Sequence, residues 1–323
     1  MTNKKYVEEE IARLEDMDRD HYALSKVARN LNRLALSGDL APVFNREVEV
    51  EAIQKLLLRR TKPNALLIGP AGCGKTAIAE ALAAHIAAQR IAWMQAAAQA
   101  ETTYFCKLDK WRKNGCVGTC PVFENPAKPP LCDVVIYDLS MNALLSGTKY
   151  RGEFEEKIQN IMDICRDNRD IVLFIDEIHQ MNEIGGSDGA SGMGQILKPA
   201  LARAEIRCIG ATTTEESVIL KKDKALARRF SDVTVRPLTG EAAIDTADSI
   251  LRDYEKFHSV SVVDVLTATI LDMVNLHVGG VFPNNFIDVV DETLSGARFE
   301  GKTSVSLSEI KATLSRMTGN IIQ

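Results

Sequence analysis

Eight residues between a short apolar run and an alanine-rich stretch carry the clearest chemistry in this sequence: "GPAGCGKT", Gly69 to Thr76. The pattern is G-x-x-x-x-G-K-T. Gly69, Gly72 and Gly74 let a backbone turn tightly while its amides converge, and amides at a helix N-terminus bind phosphate oxygens. Lys75 is the cation placed to reach the β- and γ-phosphates of a nucleotide. Thr76 offers a hydroxyl to magnesium, and Ala77 continues the site into the helix that follows. Cys73 fills a variable position and is read as inert.

A phosphate loop needs an acidic partner at the end of a neighbouring strand. "IVLFIDEIH" supplies one, with Asp176 placed to hold magnesium and Glu177 to polarise an attacking water. Two adjacent carboxylates after an apolar run are costly to bury unless a metal or a water network satisfies them. "GATTTEES" ends the next apolar run, and there Thr213, with Thr212 as the alternative, is placed to touch the γ-phosphate or the water. "KALARRFSD" carries Arg228 and Arg229. The loop already has its own cation, so this pair reads as an arginine finger for a neighbour's nucleotide.

These groups require a scaffold of strands whose ends meet. "NALLIG", "DVVIYDL", "IVLFIDE", "IRCIGATT" and "DVTVRPL" are five short apolar runs separated by helical patterns. Such alternation implies an α/β fold, a five-stranded parallel sheet with helices on both faces. Residues 1–38 show two apolar stripes at helical spacing and are expected to form an N-terminal helical segment. Residues 39–238 are the expected large α/β ATPase domain. Within it, 101–131 is polar, contains Pro121, Pro126, Pro129 and Pro130, and reads as an inserted loop. After Pro237 strand signals mostly stop, so 239–323 is expected to be a smaller helical domain.

The whole chain sets bounds on partners and place. Its 323 residues, 46% hydrophobic and 26% charged, suit a globular protein with a real core. A formal net charge of −5 supplies no electrostatic reason to bind nucleic acid or an acidic membrane. The acidic start and the lack of a long apolar run point to a cytoplasmic protein with no membrane span. Seven cysteines, an odd count, do not suggest a disulfide framework.

Taken together the motifs resemble the first ATPase module of the Clp-type AAA+ unfoldases and disaggregases. The resemblance is closest in "RRTKPNALLIGPAGCGKTAIAEALA", "LLSGTKYRGEFEEK", "LFIDEIHQM", "QILKPALARAEIRCIGATT" and "KDKALARRF". It implies an ATP- and magnesium-dependent ATPase that assembles as a homo-oligomer, a hexameric ring. It implies a base pocket at Pro42, Val43 and Phe44. It also makes Lys149, Tyr150, Arg151 and Gly152 a pore loop whose aromatic grips a threaded polypeptide, and "GGSDGASGMG" a second pore loop. Tyr150 offers sequence-tolerant apolar contact at low entropic cost, between cations that discourage its burial. The chain departs from the family pattern where Asn45-Arg46 replaces Gly-Arg and where Pro283-Asn284-Asn285 replaces Pro-Asp-Lys. The match covers a single module.

Two functions of different classes follow. The first is a ring-forming motor that unfolds, threads or remodels protein substrates. The alternative is a nucleotide-dependent switch or scaffold that assembles partners without processive threading. Within the insertion Cys106, Cys116 and Cys120, with Cys132 beyond it, are spaced C-x9-C-x3-C-x11-C, with no histidine among them. Four thiolates could hold one structural zinc in tetrahedral geometry, against the readings of unpaired thiols or a redox-sensitive disulfide. The insertion is expected to protrude and to offer a contact for a partner protein.

Overall fold

The computed structural model describes residues 2–113, 125–146, 151–182 and 193–322. Its centre is a six-stranded sheet: β1 (Ala28–Asn30), β2 (Asn64–Ile68), β3 (Val135–Leu139), β4 (Ile171–Ile175), β5 (Arg207–Thr212) and β6 (Phe230–Thr234). Their order across the sheet is β1-β3-β4-β5-β2-β6. The five strands expected from the apolar runs are the five parallel ones. The sixth, β1, pairs antiparallel with β3 at one edge.

Every residue of β2 and of β4 is buried, because helices cover both faces of a parallel sheet. Alternation along each strand sorts the side chains into two cores. Leu66, Ile68, Leu173 and Ile175 face one side, where Phe154, Ile158, Ile161 and Met162 of helix Arg151–Asp167 pack. Ala65, Leu67, Val172 and Phe174 face the other, against Ile78, Leu82 and Ile86 of helix Lys75–Lys113.

Two expectations need correction. The N-terminal segment is not wholly helical, since Ala28–Asn30 forms β1 between helices Thr2–Asp20 and Leu31–Ser37. A three-residue strand is too short to show alternation, and its pairing with β3 decides its conformation. Leu14 and Leu24 of the same segment are buried in the first core. Nor is residue 101 the start of a loop. Helix Lys75–Lys113 runs unbroken for 39 residues, about 58 Å at the usual rise. The stretch 101–113 has no proline and is rich in good helix formers, with Asp109 paired to Lys113 at 2.6 Å one turn on. The proline signal begins only at 121 and does not act upstream.

Beyond β6 the chain builds a third core from helices Gly240–His258, Thr267–His277, Asn284–Phe299 and Leu307–Thr318. This helical layer is the lid. The "TSVS" stretch supplies β8 (Ser304–Val305), which pairs in parallel with β7 (Ser261–Val262). No helix among the described residues is long and apolar enough to cross a membrane.

Candidate nucleotide site

The loop Gly69–Gly74 leaves the carboxyl end of β2, flanked by β5 and β6. Gly69 is held so close to β6 that a Cβ there would lie 2.3 Å from the Val235 carbonyl. Gly72 and Gly74 have φ of +79° and +89°, the left-handed region glycine occupies at little cost. The loop is braced from behind by Arg46, which is 5% exposed. Its guanidinium donates to the Cys73 carbonyl at 2.6 Å and to the Arg236 carbonyl at 2.9 Å, and pairs with Glu49 at 3.0 Å. Burial pushes the Cys73 thiol above its ordinary pKa, so it stays protonated and inert.

Strand register brings the other groups to this edge. Ile68 of β2 pairs with Thr212 of β5, and Ile175 of β4 with Gly210. Asp176 and Glu177 therefore emerge level with the end of β5. Thr76 donates its hydroxyl to Asp176 Oδ2 at 2.6 Å, and Lys75 Nζ donates to the Gly69 and Pro70 carbonyls at 3.0 and 2.9 Å. Glu177 holds φ of +48°, a costly conformation for a non-glycine residue. Its amide donates to Asp176 Oδ1 at 2.9 Å, and the Gln180 amide group donates to its carboxylate. A hydroxyl and a carboxylate in contact, with an ammonium alongside and a glycine loop at a helix N-terminus, form a site that matches the phosphates of a nucleotide and a hard divalent cation.

The cavity over this edge has two lobes. The polar one, about 390 Å³, is lined by Lys75, Thr76, Asp176, Glu177, Thr212, Thr213 and Glu216 among others. The apolar one, about 150 Å³, is walled by Pro42, Val43 and Phe44 on one side and by Leu238, Ile250, Tyr254 and Ile287 on the other. Gly74, Ala77, Pro283 and Ile287 line both, so the lobes are continuous. A phosphate end joined to a base end is the shape of a nucleotide.

The sequence profile of the ATPase family associated with various cellular activities (AAA) matches residues 65–238, more than half of the chain. This chain belongs to the AAA ATPases. It is a Clp-type AAA+ module. It is similar to the chaperone protein ClpB of Bdellovibrio bacteriovorus, 35% identical over 292 residues, which is 90% of this chain and 30% of that protein. It is likewise similar to the ATP-dependent Clp protease ATP-binding subunit ClpC of Staphylococcus epidermidis, 34% identical over 297 residues, 91% of this chain and 32% of that one. The chain thus spans about a third of the length of these curated relatives. Among solved structures the S. cerevisiae Hsp104-ADP complex superposes with a TM-score of 0.72 at 30% identity, covering 92% of this chain and 46% of that chain. The extended S. cerevisiae Hsp104:casein complex gives 0.69 at 28% identity, covering 92% and 45%.

The AAA module does not bring its arginine pair to its own site. Arg228 and Arg229 precede β6, whose first residue, Phe230, pairs with Asn64 at the start of β2. Asn64 donates to the Arg229 carbonyl at 3.2 Å and so fixes that end. The phosphate loop leaves the opposite end, five residues or about 16 Å away along the strand. Neither arginine lines either lobe.

Lys149 and Tyr150, the side chain of Arg151, and residues 185–192 of the second proposed pore loop lie outside the described residues. Gly152 is the second residue of helix Arg151–Asp167, and a Cβ there would meet nothing within 4 Å among the described residues. Cys116, Cys120 and the side chain of Cys106 also lie outside. Cys132 is described: it sits buried just before β3, its thiol pushed up first by burial and then by the Asp133 charge. Among the described residues no cluster of metal-binding side chains forms.

Two site residues were missed from sequence. Glu216 accepts from the Thr213 hydroxyl at 2.7 Å while Thr213 accepts from the Glu216 amide at 3.2 Å, a reciprocal cap on helix Thr214–Lys222. The T-x-x-E spacing is a sequence signature for such a cap and could have revealed it. His179 is the second. It is buried, with Nδ1 3.2 Å from Thr212 Oγ1 and 3.3 Å from Glu216 Oε2. No spacing signals this bridge between the turn that carries Glu177 and the end of β5.

The bonded Thr213 hydroxyl, with His179 and Lys75 nearby, holds the Glu216 carboxyl below its ordinary range. The stability this contributes is present above the unfolded carboxyl pKa and is lost as pH falls through the lowered folded value. Thr213→Ala should therefore raise the Glu216 titration toward the ordinary value and cost about 1 kcal/mol of cap energy. A carbon-13 NMR titration of the Glu216 carboxyl checks this, and an unchanged midpoint would exclude the Thr213 bond as the cause.

Proposed function

We propose that this AAA module is an ATP-hydrolysing motor that works as a ring, with each site completed by the neighbouring copy and with protein substrates as its load. The observation that carries this reading is the split of one catalytic set between opposite edges of the sheet. Lys75, Thr76, Asp176 and Glu177 converge at one edge, while Arg228 and Arg229 stand at the other.

In this reading the loop amides and Lys75 hold the β- and γ-phosphates. Thr76 and Asp176 hold magnesium, which when bound neutralises phosphate charge. Glu177 orients and polarises the attacking water, and Thr213 stands where strand β5 meets the terminal phosphate. Val43 and Phe44 close on the base. Because the apolar lobe is walled by both the sheet body and the lid, nucleotide occupancy and loss act on the angle between them. The named Hsp104:casein complex is a relative holding a protein, which supports a protein substrate for this chain as well. The described cysteines, Cys73, Cys132, Cys165 and Cys208, are free and buried, which suits a reducing compartment such as the cytoplasm.

If the arginines act in trans, a Lys75→Ala chain mixed with an Arg228→Ala/Arg229→Ala chain regains part of the ATPase activity that each lacks alone, because some mixed interfaces are intact. No recovery in assemblies shown to be mixed would return the arginines to their own subunit or to packing.

Tyr150 separates the motor from the switch that assembles partners without threading. Tyr150→Ala should leave basal ATPase and assembly near wild type while abolishing remodelling of an unfolded protein substrate. Undiminished remodelling by that variant would defeat the threading reading and favour the switch.

Zinc at the insertion rests on cysteine spacing, as does partner contact there. Metal analysis of protein purified without chelator should find about one zinc per chain for a four-thiolate site. Protein with no zinc and four freely titrating thiols would leave the cysteines unpaired.

A further inference from the structure

Asn45 has φ of +55°, a backbone region that glycine enters freely and asparagine tolerates better than most side chains. The resembling family pattern has glycine here. A glycine could hold this backbone, but it could not make the bonds that Asn45 makes. Its Nδ2 donates to the Ala242 carbonyl at 3.1 Å and to Thr246 Oγ1 at 2.9 Å. Both acceptors belong to the first turns of the lid helix Gly240–His258.

These bonds do not satisfy a helix end. Ala242 is the third residue of its helix, and its carbonyl already faces the amide of Thr246 four residues on. The Asn45 amide adds a cross-link from outside. It does so at the base lobe: Phe44, the residue before it, and Thr246, 4% exposed, both line that lobe. Arg46, the residue after it, braces the phosphate loop through the Cys73 carbonyl. One side chain thus connects the wall of the base lobe, and through its neighbour the phosphate loop, to the lid. On the phosphate side the contact is of another kind. Asn284 packs against Gly72, but its amide donates within its own helix to Asp288 at 3.0 Å.

We propose that Asn45 is a positioning residue that clamps the lid helix over the base lobe through Thr246 and so slows nucleotide release. The clamp rests on the nucleotide reading of the cavity. Where the family pattern places a glycine, with no side chain to donate, this chain donates two bonds to the lid from one amide nitrogen.

The test is the release of a fluorescent ADP analogue from the full chain, followed by stopped flow. Asn45→Gly keeps the backbone conformation and removes the clamp, and Thr246→Val removes one acceptor while keeping the shape. Release should quicken roughly twenty-five-fold in the first and about fivefold in the second, as loss of two and of one hydrogen bond implies. The double variant should release no faster than Asn45→Gly alone, because the Thr246 hydroxyl then has no amide left to lose. The thermal midpoint of the nucleotide-free Asn45→Gly chain should fall only modestly, since the ease of glycine at this φ offsets part of the two lost hydrogen bonds. Wild-type release from Asn45→Gly would overturn the clamp, as would effects of the two substitutions that simply multiply. A wild-type chain that does not bind the analogue at all would instead overturn the nucleotide reading, and the clamp with it.

Discussion

In a parallel sheet all strands finish at one edge, and ladder hydrogen bonds hold Ile68 opposite Thr212 and Ile175 opposite Gly210. That shared level is the constraint on which the site depends. A slip of one residue in any of β2, β4 or β5 would turn its side chains to the wrong core. It would also carry Lys75, Asp176 or Thr212 away from the others. The two alternating cores therefore do more than stabilise the sheet, since their side-chain packing is what specifies the register of the polar edge.

At that edge the polar groups satisfy one another. Lys75 bonds to loop carbonyls, Thr76 to Asp176, Glu177 to its own turn and to Gln180, and Thr213 to Glu216. Unpaired, such groups in a half-buried cleft would be expensive. The left-handed Glu177 is the strained member of the set, set immediately after the buried strand β4 and anchored by the Asp176 carboxylate.

The lid contributes half the wall of the base lobe, so the cavity is shared between two bodies. The sheet body reaches across with Asn45, and the lid reaches back with Pro283, Asn284 and Ile287 at the phosphate loop. The arginine pair lies at the far end of the same strands. One end of β2 thus carries the phosphate loop, and the arginines lie at the other, just before the edge strand β6, which fits the ring proposed for this module.

The local requirements of the site were legible in the sequence. Phosphate binding demands glycines, a lysine and a hydroxyl at set intervals, and an acidic pair after a buried strand needs only an apolar run before it. These are contacts between near neighbours in the chain, so residue type and spacing are enough to read them, as they were for the five parallel strands. The tertiary structure alone decided what depends on distant pairing. Ala28–Asn30 became a strand because β3 offered an edge, and residues 101–113 stayed helical because no proline or glycine lies within them. Arg46 became the brace of the loop, and His179 came to lie between Thr212 and Glu216. Asn45 met Thr246 across 201 residues. Its identity could be read as a departure from a family pattern, but the bond it makes could not, because only folding brings the first strand-side loop against the lid.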